Sequence, residues 1–466
     1  MIPVLTKEQA YKLDKDTIES GHLSKEEVMD NAGKAIAQFF CEKIQNPFSK
    51  TVVVVCGKGN NGGDGYVLGA LLTIAGREVK IYKVEDPIKS EAKAALKLCY
   101  KLGVKVKKWP KSLEKSDIYV DALLGAGIQQ SPREPYKTII RHLIIKKKKG
   151  KKIIALDVPS GVDGTTGIAY NPSVIASTTI TFLAMKKGLL TGDAVDHTGE
   201  LIFENIGVSQ KKVIPDAILL NKSDCDFQIL KPSSHKGTRG NVLIFGGMKG
   251  MEGAGILSGI SALRAGAGKV FWVTDTNKLN FPPELITVNP ELKETMKFLK
   301  MSKVCILGPG LTSGFEELIE NIWNFKIPLV LDAGGLRWLA ASNFKERPDH
   351  LIGTPHVGEA KALVGQRKMD RFETIRIIKK MYGGDWILKG PGTLIHESNQ
   401  LWINNFKMPE LGTAGSGDIL AGLIAGVWSS GSKTPARSGV WLHTNLAKKA
   451  LNKKKHPYFS ASDLLN

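Results

Sequence analysis

From Thr51 onward, short β-branched runs alternate with longer stretches of helical spacing. The runs are Thr51 to Cys56, Val79 to Val84, Ile118 to Val120 and Ile153 to Val158. Strand, helix, strand in repetition is the rhythm of βαβ units built around a parallel sheet. It fades across Ser209 to Asp226, a short polar stretch, and resumes with Asn241 to Phe245, Val270 to Thr274, Val304 to Leu307, Leu329 to Leu331 and Trp386 to Lys389. The pattern predicts an α/β chain of two three-layer αβα domains with mainly parallel sheets, residues 1–210 and 225–466. No motif of the first half recurs in the second, so the halves are not a duplication.

Composition narrows the picture. At 466 residues the chain exceeds the size at which one core stops growing, which agrees with two domains. Its 42% hydrophobic and 24% charged residues are those of a folded globular protein rather than a disordered one. A net charge of +20 suits RNA, an anionic membrane or a phosphorylated small molecule, and does not choose among them. The longest basic run, Lys146 to Lys149 with Lys151 and Lys152, follows an amphipathic stretch from Tyr136 to Ile145. Lysines there complement the negative end of a helix dipole, with Gly150 past the end, and no aromatic residues interleave for base stacking. Neither a nucleic-acid nor a membrane partner is therefore expected. Cys41, Cys56, Cys99, Cys225 and Cys305 are scattered without metal-ligand spacing, as in a reducing compartment. Thr6-Lys-Glu-Gln9 opens a helix with a capping box where a signal peptide would need an apolar core, and a cytoplasmic homo-oligomer is the expectation.

Candidate chemistry begins after the run Thr51 to Cys56, where Gly57-Lys-Gly-Asn-Asn-Gly-Gly-Asp-Gly65 precedes an expected helix from Tyr66 to Ile74. Strand, glycine loop and helix form a phosphate cradle, because a helix N-terminus offers unpaired N–H groups and a positive dipole end. Gly57, Gly59 and Gly62 fit G-x-G-x-x-G, with Glu85 or Asp86 placed for a ribose. A plain turn with Asn60 and Asn61 in left-handed conformations is the alternative. It leaves the side-chain amides and Asp64 without a purpose.

Asn60-Asn-Gly-Gly-Asp-Gly65 resembles the signature of the NAD(P)H-hydrate epimerase family, and the resemblance covers most of residues 1–210. Met29 to Gly33, Asp121 to Gly127, Ala155 to Gly164, and Thr181-Phe182 with Lys186 to Gly188 fit the same pattern in order. The resemblance implies a Rossmann-like domain in which Asn61, Asp121 and Ser160 hold a potassium ion. Hard oxygen ligands suit such a cation. It further implies that Asp157 is catalytic and touches the hydrated nicotinamide. Asn60, Asn61, Gly62, Gly63 and Asp64, with Gly125, Ala126, Gly127, Ile128, Gln129, Gln130 and Ser131, would surround the rest of the substrate. Asp157 as a mere cap of the following turn is the plainer alternative. Which residue moves a proton stays open at this level.

The second half has no Walker loop, since Gly33-Lys34, Gly57-Lys58, Gly150-Lys151 and Gly268-Lys269 all lack a following Ser or Thr. Its candidate is Gly412-Thr-Ala-Gly-Ser-Gly-Asp418, followed by the apolar, small-residue run from Ile419 to Gly426. A helix starting there aims the N–H groups of Ala414 to Gly417 at one point, with Asp418 beside it to accept a proton from a hydroxyl or simply to complement the dipole.

This arrangement resembles ribokinase-like enzymes. His235 to Gly240, Gly246 to Ala254, Ala262 to Gly268, Leu307 to Gly310, Thr354 to Glu359 and Lys389 to Thr393 narrow it to the NAD(P)H-hydrate dehydratase branch, over nearly all of residues 228–466. By that likeness Lys389, Gly390, Pro391, Gly392, Thr393 and Gly417 would hold ADP or ATP with Mg2+. Ala254, Gly310, His356 and Asp418 would face hydrated NADH or NADPH, with Asp418 catalytic. One departure stands out: Asp332-Ala-Gly-Gly-Leu336 replaces the family's Asp-Ala-Asp-Ala-Leu, leaving Gly334 where a second carboxylate is usual. The alternative to a two-step repair enzyme is a small-metabolite kinase fused to a non-catalytic dinucleotide- or RNA-binding domain.

Overall fold

The computed structural model describes residues 2–43, 51–210, 213–229, 231–276, 281–343, 347, 350–453 and 458–466. They form two compact units, Ile2–Ile218 and Leu219–Asn466. Among the described residues no helix is long and apolar enough to cross a membrane.

The strands of the first unit are β1 (Ile2–Leu5), β2 (Val52–Cys56), β3 (Val79–Lys83), β4 (Lys105–Lys108), β5 (Ile118–Ala122), β6 (Lys152–Leu156), β7 (Thr178–Phe182), β8 (Met185–Lys186) and β9 (Glu200–Glu204). Seven make one parallel sheet in the order β4-β3-β2-β5-β6-β7-β9, while β1 pairs in parallel with β8. β2 and β5 are apolar almost throughout because both faces of the sheet are covered. Val52, Val54 and Cys56 pack with Ile36, Phe40 and Leu68 on one side. Val53 and Val55 pack with Ile139, Ile140 and Leu143 on the other. The strand order reverses between β2 and β5, which opens the crevice where ligands of such sheets bind.

The helix after β2 runs from Asn60 to Ile74, with Gly59 as its N-cap, and so starts six residues ahead of the expected Tyr66. Local preference for a loop is overridden by packing. A Cβ on Gly62 would lie 1.9 Å from the Gly57 carbonyl oxygen, and one on Gly65 would lie 2.7 Å from Ala122 Cβ. The glycines let the first helical turns lie directly on the ends of β2 and β5, and Asn60 and Asn61 are helical rather than left-handed. The helix Tyr136–Lys148 carries Lys146, Lys147 and Lys148 in its last turn, and Gly150 beyond it takes φ +76°.

After β10 (Ala217–Leu219), the second unit adds β11 (Asn241–Phe245), β12 (Lys269–Val273), β13 (Leu285–Val288), β14 (Val304–Leu307), β15 (Leu329–Leu331), β16 (Leu351–Gly353), β17 (Asp385–Leu388), β18 (Thr393–Glu397) and β19 (Gln400–Asn404). Their order is β13-β12-β11-β14-β15-β16-β17-β18-β19, parallel as far as β17 and antiparallel beyond. The reversal here falls between β11 and β14. The apolar helix Ser416–Ser429 lies against the helix Glu252–Arg264 so closely that a Cβ on Gly422 would stand 1.9 Å from Ser261 Oγ. That approach is why small residues recur along it.

Candidate functional sites

In the first unit, Asn61, Asp121 and Ser160 meet at the reversal point. Asp121, fully buried in β5, accepts the Ser160 hydroxyl at 2.6 Å, the Ser160 N–H at 2.8 Å and the Leu123 N–H at 3.2 Å. Burial pushes its carboxyl up to about 6 against the pull of those hydrogen bonds. Asn61 donates from Nδ2 to the Leu124 carbonyl at 3.1 Å, yet its Oδ1 is buried without a partner. Leaving such an acceptor unmatched costs about 1–3 kcal/mol. A carboxylate, an amide oxygen with no donor and a hydroxyl form a donor set that fits a hard cation.

Asp157 follows β6 with φ +64°, a conformation that side-chain-bearing residues rarely adopt. Its Oδ1 lies 2.5 Å from Lys186 Nζ, and the Thr181 hydroxyl approaches the same oxygen at 3.4 Å. Lys186 is buried and also donates to Thr181 Oγ1 at 3.0 Å and the Phe182 carbonyl at 2.9 Å. Asp64, half-buried one turn into the glycine helix, has its carboxyl pushed well up by burial and then by the charge of Asp157, with Lys186 opposing. Gly125 fits between these groups, for a Cβ on it would lie 3.6 Å from both Asn61 Cβ and Asp157 Oδ2. Ala126 packs near Gly164, whereas Gly127, Gln129, Gln130 and Ser131 are exposed on the loop that follows and Ile128 is half-buried. Glu85 pairs with Lys58 of the glycine segment at 2.8 Å and Asp86 with Lys83, so both expected ribose partners are held in ion pairs.

In the second unit Ala254, Gly310, Asp332, His356 and Lys389 follow the C-terminal ends of β11, β14, β15, β16 and β17, while Gly417 and Asp418 begin the helix that comes after β19. Gly415 takes φ +88° and caps the helix Ser416–Ser429. The Ser416 N–H donates to the Thr413 carbonyl at 3.3 Å, and the first intrahelical bond runs from Ile419 to Gly415 at 3.1 Å. Of the N–H groups expected to form an anion hole, Ala414 to Gly417, that of Ser416 is bonded within the turn.

Asp332 and Lys389 meet beside it, Nζ to Oδ1, at 2.7 Å, and the Thr354 hydroxyl donates to the same oxygen at 2.7 Å. A Cβ on Gly417 would stand 3.3 Å from Lys389 Nζ and 3.6 Å from Asp332 Oδ2. Burial, joined by the charge of Asp332 and opposed by Lys389, pushes Asp418 up to about 6. Burial works to lower Lys389, but Asp332, with Glu359 and Asp418 behind it, raises it overall. The loop from Lys389 to Thr393 is braced by Arg371, which donates to the carbonyls of Leu388, Lys389 and Gly392 at 3.2, 3.3 and 3.4 Å. Gly390 and Gly392 hold φ +124° and +59°, and the Thr393 hydroxyl closes the loop on the Gly390 carbonyl at 3.2 Å. Ala254 faces Gly310 across a gap that would leave a Cβ on Gly310 only 2.9 Å from Ala254 Cβ. His356 is exposed and caps the helix Val357–Leu363, its Nδ1 accepting from the N–H of Gly358 at 2.9 Å.

Comparison with known proteins finds a separate family match in each half of the chain. The profile of the YjeF-related protein N-terminus matches residues 25–188, and that of NAD(P)H-hydrate dehydratase matches residues 242–466. A bifunctional NAD(P)H-hydrate repair enzyme from Coxiella burnetii is 33% identical over 479 aligned positions, spanning 98% of this chain and 96% of its own. This chain belongs to the bifunctional NAD(P)H-hydrate repair enzymes. A member from Escherichia coli is 34% identical over 85% of this chain and 79% of its own. Among solved structures, an ADP/ATP-dependent NAD(P)H-hydrate dehydratase from Bacillus subtilis, crystallised with ATP and Mg2+, is 25% identical with a TM-score of 0.45, covering 54% of this chain and 96% of that one.

Several residues that shape these candidate sites were not assigned from the sequence. Lys186, Asp332, Thr354 and Glu359 stand inside quoted motifs, where their charge or hydroxyl was the available signal. Arg371 and His443 had no local signal. His443, fully within the second unit, lies 3.1 Å from Ser416 Oγ through Nε2, and burial, then the charge of Lys389, pushes its imidazole down to about 4.

Proposed function

We propose that this chain repairs hydrated NADH and NADPH in two steps, one for each compact unit. The first unit interconverts the R and S hydrates. The second transfers a phosphoryl group from ADP or ATP to the added hydroxyl of the S hydrate, giving AMP or ADP. Loss of phosphate then restores the dihydronicotinamide, phosphate being a far better leaving group than hydroxide. The observation that carries this reading is that each unit gathers its own ionisable cluster at the C-terminal ends of its parallel strands, in a chain related to repair enzymes over nearly its full length.

In the first unit Asp157, paired with Lys186, is the group suited to accept a proton at the hydrated ring. Asp64, whose carboxyl burial pushes up, is suited to donate one. Asn61, Asp121 and Ser160 would hold potassium, which supplies fixed positive charge beside the substrate. Asn60, Gly62, Gly63 and the segment from Gly125 to Ser131 line the rest of the dinucleotide site. In the second unit Gly417 and the braced loop from Lys389 to Thr393 would bind the adenine nucleotide, with Mg2+ arriving on its phosphates. Ala254, Gly310 and His356 would face the hydrate. Asp418, raised but still ionised near neutrality, takes the hydroxyl proton as the phosphoryl group transfers.

The deciding experiment mixes the purified chain with both hydrate epimers of NADH, K+, Mg2+ and either ADP or ATP, and follows the return of reduced-nicotinamide absorbance. Full recovery of both epimers is the expected result. Recovery limited to spontaneously epimerising material would remove the first activity. A stable phosphorylated product in place of NADH would turn the second into a plain kinase.

A further inference from the structure

The Asp332–Lys389 pair is built from both sides. Asp332 is nearly inaccessible, its N–H bonds the Leu307 carbonyl at 3.1 Å, and Thr354 fixes its Oδ1. Lys389 is anchored through its N–H to the Pro355 carbonyl at 2.9 Å and through its own carbonyl to Arg371. A buried ion pair seldom repays its desolvation, so stability alone is a poor reason for it. Lysine has a long flexible stem, and Asp332, Glu359 and Asp418 all act on its ammonium. Bound to Asp418, it would block the carboxylate from a substrate hydroxyl. Bound to Asp332, it stands beside Gly417 at the start of the helix and leaves Asp418 open.

We propose that Asp332 is a positioning residue that keeps the Lys389 ammonium at the helix N-terminus, where it meets the phosphoryl group, and off the Asp418 carboxylate. The inference rests on the reading of Asp418 as the proton acceptor. The charged groups facing Asp418 are Asp332 after β15 and Lys389 after β17; Glu359 and His443 bear on Lys389 from the helices Val357–Leu363 and Pro435–Lys453.

The test is the pH dependence of dehydration, measured on the whole chain with ADP, for Asp332→Asn, Lys389→Met, the double variant and Asp418→Asn. Asp332→Asn removes a negative neighbour of Asp418 and keeps a positive one, so the acid limb moves to lower pH by roughly one unit. Lys389→Met does the reverse, and the limb moves up. Plateau kcat falls on the order of 100-fold in each, and the double variant, with no lone buried charge, is no worse than the weaker single. Limbs that stay in place or move the same way overturn the proposal. So does native plateau turnover in Asp332→Asn, or, where a single variant does not fold, in the double variant. Retained turnover in Asp418→Asn instead removes the reading of Asp418 itself, in a chain where Asp332 and Lys389 are both intact.

Discussion

Lys186 Nζ lies 2.5 Å from Asp157 Oδ1, and the lysine is otherwise enclosed by the Thr181 hydroxyl and two backbone carbonyls. Asp157 meanwhile holds a left-handed backbone, φ +64°, which costs of order 1–3 kcal/mol for a side-chain-bearing residue. Strain and a buried cation together aim one carboxylate oxygen at a fixed partner and leave Oδ2 toward Gly125.

Replacing Lys186 by Met should therefore slow epimerisation by roughly 100-fold, the lower end of what a positioned acid–base group contributes. Dehydration of the S hydrate, assayed on the same sample, should keep its native rate. The measurement is the decay of the R epimer with the second activity saturating. An unchanged decay would mean that Asp157 needs no cation.

Protons and potassium should compete at Asp121. Burial raises this carboxyl to about 6, so it is ionised and able to bind a cation above that pH and becomes protonated below it. Bound potassium opposes protonation and draws the transition to lower pH. The K+ concentration for half-maximal epimerisation should rise about tenfold for each pH unit below the transition and stay flat above it. A K+ requirement independent of pH would place the ion elsewhere.

Asp418→Asn should lower dehydration by about 10²- to 10⁴-fold while ADP still binds, because the change removes a proton acceptor and little of the nucleotide contact. In the native chain kcat should fall as pH drops through about 6, where burial and Asp332 have set the carboxyl. Stopped single-turnover reactions across pH, alongside ADP titration calorimetry, separate the two effects.

Gly334 lacks room for a second carboxylate beside Asp332. A Cβ there would stand 2.8 Å from Leu311 Cβ and 2.9 Å from the Leu311 carbonyl oxygen, and the Gly334 N–H bonds the Gly308 carbonyl at 3.0 Å. Gly334→Asp should thus lower unfolding stability by about 1–3 kcal/mol without speeding dehydration. Denaturant unfolding and kcat on one preparation test both halves of the statement.

The sequence by itself determined the central strands of both sheets, though not the edge strands such as β4, β9, β13, β18 and β19. Buried parallel strands read as continuous apolar runs, and β2, β5, β11, β14 and β15 lie where those runs are. It also located both glycine segments and the aspartates at strand ends, since these are local signals of spacing and residue type. The start of the helix at Asn60 was decided by tertiary structure, because a glycine run favours a loop until the ends of β2 and β5 press against it. The same holds for every charge pairing that matters. Lys389 meets Asp332 across 57 residues, and Lys186 meets Asp157 across a β-strand crossover. Which carboxylate a lysine faces depends on strand order and on the way each side chain leaves its strand end. Those are long-range properties, and no local pattern of residues encodes them.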